Sequence, residues 1–236
     1  MKSTVSKCRV PGRTALVLVV PAALAIATGA ATQAFAWGPP PLPAHFSGLL
    51  NDYTPATPTV AGSPYEMHGK WSLSLNERGG AVFSAEMTMQ TADFANTDPN
   101  HDPTKLNPHT HHITVSDGVV HNDPTDPINW KASCPTFKPA AAGGFVVTGT
   151  AYVTGNGGNP PFGNPSAATI CVLGGAPNPG IATTQSIVQF SNFTLQFATG
   201  SLASGHFGTQ AINGVVSRCD GPWDRDSSDC RVALVE

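Results

Sequence analysis

The chain has 236 residues, of which 40% are hydrophobic and 11% charged, and its formal net charge at pH 7 is −3. This length suits one domain with a sizeable core. A slightly acidic chain without a cluster of lysine and arginine argues against nucleic acids and anionic membranes as partners.

The N-terminal segment has the pattern of a secretory signal peptide. Four basic residues and no acidic residue precede the apolar run 15–20, and the segment ends in Ala34-Phe35-Ala36. This pattern predicts a signal peptide over residues 1–36, cleaved after Ala36. A membrane anchor is the alternative, but the apolar run is shorter than the roughly 20 residues that a membrane span needs. Cleavage would change the formal charge from −3 to −7, because it removes four cations and no anion. We therefore expect a secreted protein, extracellular or periplasmic, whose mature chain is not inserted in a membrane.

The remaining chain is predicted to be a short proline-rich lead, residues 37–45, followed by a single all-β domain, residues 46–236. The domain consists of short alternating segments separated by Gly, Pro, Asn and Asp, with almost no helical periodicity. The segments 66–75 and 81–89 alternate strictly on either side of the turn Asn76–Gly80, which predicts a β-hairpin.

Further strands are predicted near residues 45–52, 109–116, 144–154, 167–173, 186–198 and 206–217. The expected fold is an antiparallel domain of about eight strands, either a β-barrel or a β-sandwich. Two long loops, 93–108 and 117–142, flank the strand that begins at His109. Long loops on a compact β-scaffold are often functional.

The mature chain contains four cysteines, because Cys8 lies in the predicted signal peptide. An even number in an exported chain predicts two disulfides. Three pairings are possible, and the short separation between Cys219 and Cys230 favours that pair together with Cys134–Cys171. Metal binding by thiolates is the alternative, which the lack of a Cys-x-x-Cys motif disfavours.

The sequence His109-Thr110-His111-His112 is the main chemical signal of the chain. Because side chains alternate along a strand, His109 and His111 point to the same side, as the ligands of a metal site often do. His112 points away from this pair in a regular strand and is the weaker candidate; a β-bulge would reverse this.

A third metal ligand has to come from another element. The candidates are His68 and Glu86 on the predicted hairpin and His206 near the C-terminus. His109 and His111 share their parity with Ile113 and Val115, so they belong to the apolar face of their strand. His68 and Glu86 lie opposite Trp71 and Phe83 on theirs, so the two groups would not meet without a bulge.

Three imidazoles, or two and a carboxylate, would suit Zn²⁺, with Cu²⁺ or non-haem iron next. A metal-bound water could lose its proton to Glu86 or Glu66 in a hydrolytic or lyase reaction. One alternative is a metal-free barrel that binds a small hydrophobic ligand. The residues that would line such a cavity, or simply fill a core, are Trp71, Phe83, Met87, Met89, Phe145, Phe193 and Phe197. The other alternative is a structural protein that presents its loops to a partner.

Overall fold

The structure is a computed structural model that describes residues 43–54, 65–91, 108–121, 123, 125–134, 143–155, 165–175, 187–221 and 230–233. The predicted signal peptide, the proline-rich lead up to residue 42 and the loop residues 92–107 lie outside this range, so these predictions stay untested. Among the described residues, no helix is long and apolar enough to cross a membrane.

The described chain forms nine strands and two short helices. The strands are β1 Ala44–Tyr53, β2 Tyr65–Leu75, β3 Gly80–Thr91, β4 His109–His121, β5 Gly143–Thr154, β6 Ser166–Gly175, β7 Ile187–Phe197, β8 Ile212–Asp220 and β9 Arg231–Ala233; the helices are α1 Trp130–Ser133 and α2 Leu202–Phe207. All strand pairings are antiparallel. The expectation of an all-β domain is therefore confirmed.

Strands β1 to β8 close into a barrel. Neighbours in sequence pair from β1 to β8, and the pairing of β8 with β1 closes the ring. The short strand β9 pairs with the beginning of β7, beside the stretch that pairs with β8. Of the two folds that the sequence left open, the barrel is the one observed.

The hairpin of β2 and β3 forms where the sequence predicts it. Their registers match over Tyr65–Leu75 and Ala81–Thr91, and the alternate residues of each strand are buried. The turn is held by Asn76, whose Oδ1 accepts hydrogen bonds from the backbone N–H groups of Arg78 and Gly80. Gly79 adopts a φ of 77°, which glycine adopts at little cost.

Two strand predictions differ from the structure. Residues 202–207 form helix α2, so the prediction of a strand from residue 206 is wrong, and β8 begins at Ile212. Ser201 caps the helix by accepting a hydrogen bond from the N–H of Ser204, and Gly208 ends it at a φ of 94°. Strand β4 continues to His121, beyond the predicted end at residue 116, because a register shift after Val115 accommodates one extra residue without ending the strand.

Aromatic side chains fill the inside of the barrel. Phe193 stacks on Trp71 with ring centroids 4.1 Å apart and on Phe83 with ring centroids 5.7 Å apart. Phe46 contacts Phe145 at 5.2 Å between centroids. Every aromatic or methionine residue that the sequence suggested for the interior is at most 3% exposed. These contacts are those of a hydrophobic core.

Two disulfides cross-link the barrel, one on its outer side and one, Cys219–Cys230, buried at the edge of its core. They join Cys134 to Cys171 and Cys219 to Cys230, which are the pairings that the sequence favours. The first fastens the segment of α1 onto the outside of β6, where Trp130 packs against Val146 and Leu173.

Loss of the Cys134–Cys171 disulfide is expected to destabilise the protein more than loss of Cys219–Cys230. The bridged residues are 37 and 11 positions apart. In the chain-entropy model these separations correspond to about 4 and about 3 kcal/mol of unfolding free energy. Urea unfolding of C134S/C171S and C219S/C230S measures both losses. A smaller loss for the first pair would show that α1 is held mainly by packing.

Candidate metal centre

Three histidines meet at one end of the barrel. Nε2 of His206 lies 3.1 Å from Nε2 of His111 and 3.4 Å from Nε2 of His109. One ring nitrogen from each of the three residues lies within 4.8 Å of the others. Three donor atoms at such distances are the arrangement that a single metal ion requires.

Strand alternation places His109 and His111 on the inner face of β4. His111 is 3% exposed and lies two residues before the buried Ile113, while the intervening residue His112 is exposed. The inside of this barrel is apolar, so the apolar parity that the sequence assigns to the pair directs both rings inward. They lie at the beginning of β4 and therefore near the end of the barrel rather than its middle.

Helix α2 brings the third histidine. It connects β7 to β8, and the ring of its last residue, Phe207, stacks on Phe197 with centroids 5.2 Å apart. The same ring contacts His111 edge-on at 5.1 Å. Because Phe207 is anchored in the core, the preceding residue His206 is held over His109 and His111. The sequence names His206 as a candidate but places it on a strand; its actual position depends on the helix.

Apolar and aromatic side chains surround the three imidazoles. The ring of Tyr65 contacts His109 at 5.3 Å and His206 at 5.8 Å between centroids. Met87 is the cross-strand partner of His111, and Met89 is that of His109. No sequence pattern singles out Tyr65, and both methionines are predicted only as interior residues. The positions of Met87 and Met89 on the same face of β3 as Phe83 indicate that they are buried. That they lie beside the histidines follows only from the register between β3 and β4.

The surroundings keep two of the imidazoles neutral in the metal-free protein. Burial lowers the pKa of His111 to about 3, and the charges that His206 and His109 would carry act in the same direction. Burial also lowers the pKa of His206 to about 4, with a further contribution from His109. Neutral imidazole is the form that binds metal ions.

These two pKa values predict that the metal-free protein loses stability in mild acid. The ordinary pKa of histidine is 6.5, so below that pH the unfolded chain takes up protons that folded His111 and His206 do not. The unfolded state is then favoured progressively as the pH falls from about 6.5 towards about 4. Urea unfolding in the presence of EDTA across this interval measures the effect. H206Q should show a shallower pH dependence than H112Q, and equal dependences would contradict the assignment.

The other predicted metal ligands lie on the outer face of the barrel. His68 is half exposed, and its Nε2 lies 2.6 Å from Oε1 of Glu66. His112 is exposed and lies opposite Glu86 on the neighbouring strand. The structure therefore brings His109, His111 and His206 together without His68 or His112. Apolar residues of β2 and β3 face the core, which turns their polar neighbours towards solvent.

The two predicted proton acceptors also face outward. Glu86 is 47% exposed and forms an ion pair of 3.0 Å with Lys70. Glu66 accepts hydrogen bonds from His68 and from the side-chain amide of Gln90, and these bonds lower the pKa of its carboxyl group. Neither carboxylate is on the side of its strand that faces the three histidines.

Two further histidines have local partners away from the centre. Nδ1 of His45 is 3.0 Å from the hydroxyl oxygen of Ser74. His121 lies between Asp126, at 2.9 Å from Nδ1, and the hydroxyl oxygen of Thr148, at 2.8 Å from Nε2.

Comparison of the chain with protein-family models, curated proteins and solved structures finds no match.

Proposed function

We propose that the protein binds one transition-metal ion through His109, His111 and His206. The observation that carries this proposal is the distance between the ring nitrogens. Zinc–imidazole bonds of about 2.0–2.1 Å at tetrahedral angles put neighbouring ligand atoms about 3.3–3.4 Å apart. The distances from His206 to its two neighbours, 3.1 and 3.4 Å, are close to that value without any rearrangement of the barrel.

Zn²⁺ is the metal that three neutral imidazoles favour first, ahead of Cu²⁺ and non-haem iron. Three protein ligands leave a fourth tetrahedral position for water or another small ligand. Among the described residues, His109 and His206 are only partly buried, which supports access to this position from the end of the barrel.

Metal binding, rather than hydrolysis or lyase chemistry, is the function that the described residues support. In a hydrolytic or lyase reaction a neighbouring base commonly assists the removal of a proton from the bound water or the substrate. Glu66 and Glu86 were predicted for this role, but they lie on the outer face, where Glu86 is already paired with Lys70. A metal-binding protein needs only the ligand set and access to it.

We also propose that the mature protein is exported after cleavage near Ala36. The two disulfides support an oxidising, extracellular type of environment. N-terminal sequencing of the protein recovered outside the producing cells tests this directly. A mature chain that begins near Trp37 is expected, and retention of residues 1–36 would contradict the proposal.

The metal proposal is tested by measuring metal content after mild purification and after reconstitution with Zn²⁺ or Co²⁺. One ion per chain is expected for the unmodified protein and for H112Q, but not for H111Q. These two variants carry the same substitution at adjacent positions of β4, one facing the centre and the other facing solvent. Unmodified protein without stoichiometric metal, or equal metal contents in the two variants, would overturn the proposal.

A further inference from the structure

The methionines of the domain are concentrated beside the three histidines. The chain has four methionines, including Met1, and the other three are Met67, Met87 and Met89. All three are at most 1% exposed on the inner face of β2 and β3. Met89 lies opposite His109, and Met87 lies opposite His111. Met67 lies one strand further away, opposite Met89.

This register places two thioethers within reach of the imidazole cluster. Residues directly opposite each other in an antiparallel pair have Cβ atoms about 4.5–5.5 Å apart. A methionine side chain is long and flexible enough to bring its sulfur to a neighbour at that separation. The inner face of β3 beside the centre therefore carries two thioethers, next to the imidazoles of His109 and His111 on β4.

The ligand chemistry of this wall differs from that of a zinc site. Zinc in proteins is bound by thiolate, imidazole and carboxylate, whereas thioethers are ligands that favour Cu(I). Leucine and methionine fill a hydrophobic core about equally well. Packing alone therefore does not explain why two successive inward positions that face histidines are both methionine.

We propose that the same centre binds Cu(I), with one thioether, from Met87 or Met89, completing a four-coordinate ligand set with His109, His111 and His206. This inference rests on the proposed function, because it assumes that the three histidines bind metal. Cu(I) is the ion that this ligand set selects when copper is available in its reduced form. No change of oxidation state at the site is required.

The test compares the affinities for Cu(I) and Zn²⁺ in the same variants. Cu(I) affinity is measured anaerobically by competition with bicinchoninate, and Zn²⁺ affinity by competition with a chromophoric chelator. M87L/M89L should lower the Cu(I) affinity by about tenfold or more and change the Zn²⁺ affinity by less than about threefold. M67L is the matched control and should change neither. A copper–sulfur scattering path in X-ray absorption should be present in the unmodified protein and absent from M87L/M89L.

The possible results separate this inference from the proposed function. Zn²⁺ binding together with Cu(I) binding that M87L/M89L leaves unchanged would overturn the thioether assignment and leave the histidine centre intact. Equal weakening of both metals in M87L/M89L, or the same weakening in M67L, would show that the methionines act through packing and would also overturn it. If the protein binds neither Zn²⁺ nor Cu(I), both proposals are overturned.

Discussion

Zn²⁺ is expected to raise the melting temperature of the metal-free protein by about 10 °C. An ion that binds only the folded state, at a free concentration about a thousandfold above its Kd, adds about 4 kcal/mol of stability. For a domain of this size each kcal/mol corresponds to roughly 2–4 °C. The ligands come from β4 and from α2, which are far apart in sequence. The unfolded chain therefore does not present the same set of donors.

The control for this shift is again the pair H111Q and H112Q. H112Q should retain the full increase in melting temperature, because its side chain faces solvent on the outer side of β4. H111Q should show no increase in melting temperature at the same Zn²⁺ concentration, because only two of the three imidazole ligands remain. Thermal unfolding with EDTA and then with added Zn²⁺ measures the difference. An increase of equal size in both variants would place the metal elsewhere.

The strands could largely be predicted from the sequence, while closure of the barrel could not. Alternation of apolar residues in β2 and β3, with a turn that Asn76 and Gly79 stabilise, is a local signal, and the hairpin follows it. Whether eight strands form a barrel or two packed sheets depends on the pairing of β8 with β1. These strands are separated by most of the domain, and no local pattern specifies that contact.

The candidate site was predictable only in part, for two physical reasons. The parity of β4 assigns His109 and His111 to one face, because it depends on that strand alone. Parity also placed His68 opposite Trp71, and the structure shows that this turns it away from the centre. His206 lies on a helix whose beginning and end are set by Ser201 and Gly208, within an alternating segment typical of a strand. These cap residues determine the local structure here, so residues 202–207 form a helix instead of the beginning of a strand.

Phe193→Ala is expected to lower the free energy of unfolding by about 3–5 kcal/mol, as large aromatic truncations in a packed core do. Phe193 is fully buried, and its ring stacks on those of Trp71 and Phe83. The neighbours of β7 are held in turn by the pairings of β6 with β5 and of β8 with β1, which oppose collapse of the barrel wall into the space left behind. Urea unfolding measures the loss. Tyr152→Ala is the control, because that side chain is 53% exposed on the outer face and its truncation should cost less than about 1 kcal/mol.

The same measurement distinguishes a packed core from a cavity for a hydrophobic ligand. If Phe193 lined a cavity, its truncation would enlarge a space that already exists and would remove few contacts. The loss of stability would then approach that of Tyr152→Ala, and added apolar ligands would stabilise the unmodified protein. The stacking of Phe193 on Trp71 at 4.1 Å leaves no room for a ligand between these two rings. We therefore expect the large loss of unfolding free energy in Phe193→Ala. Apolar ligands should not raise the melting temperature of the unmodified protein. Phe193→Ala should retain the metal-dependent increase in melting temperature, because the three histidines lie at the end of the barrel.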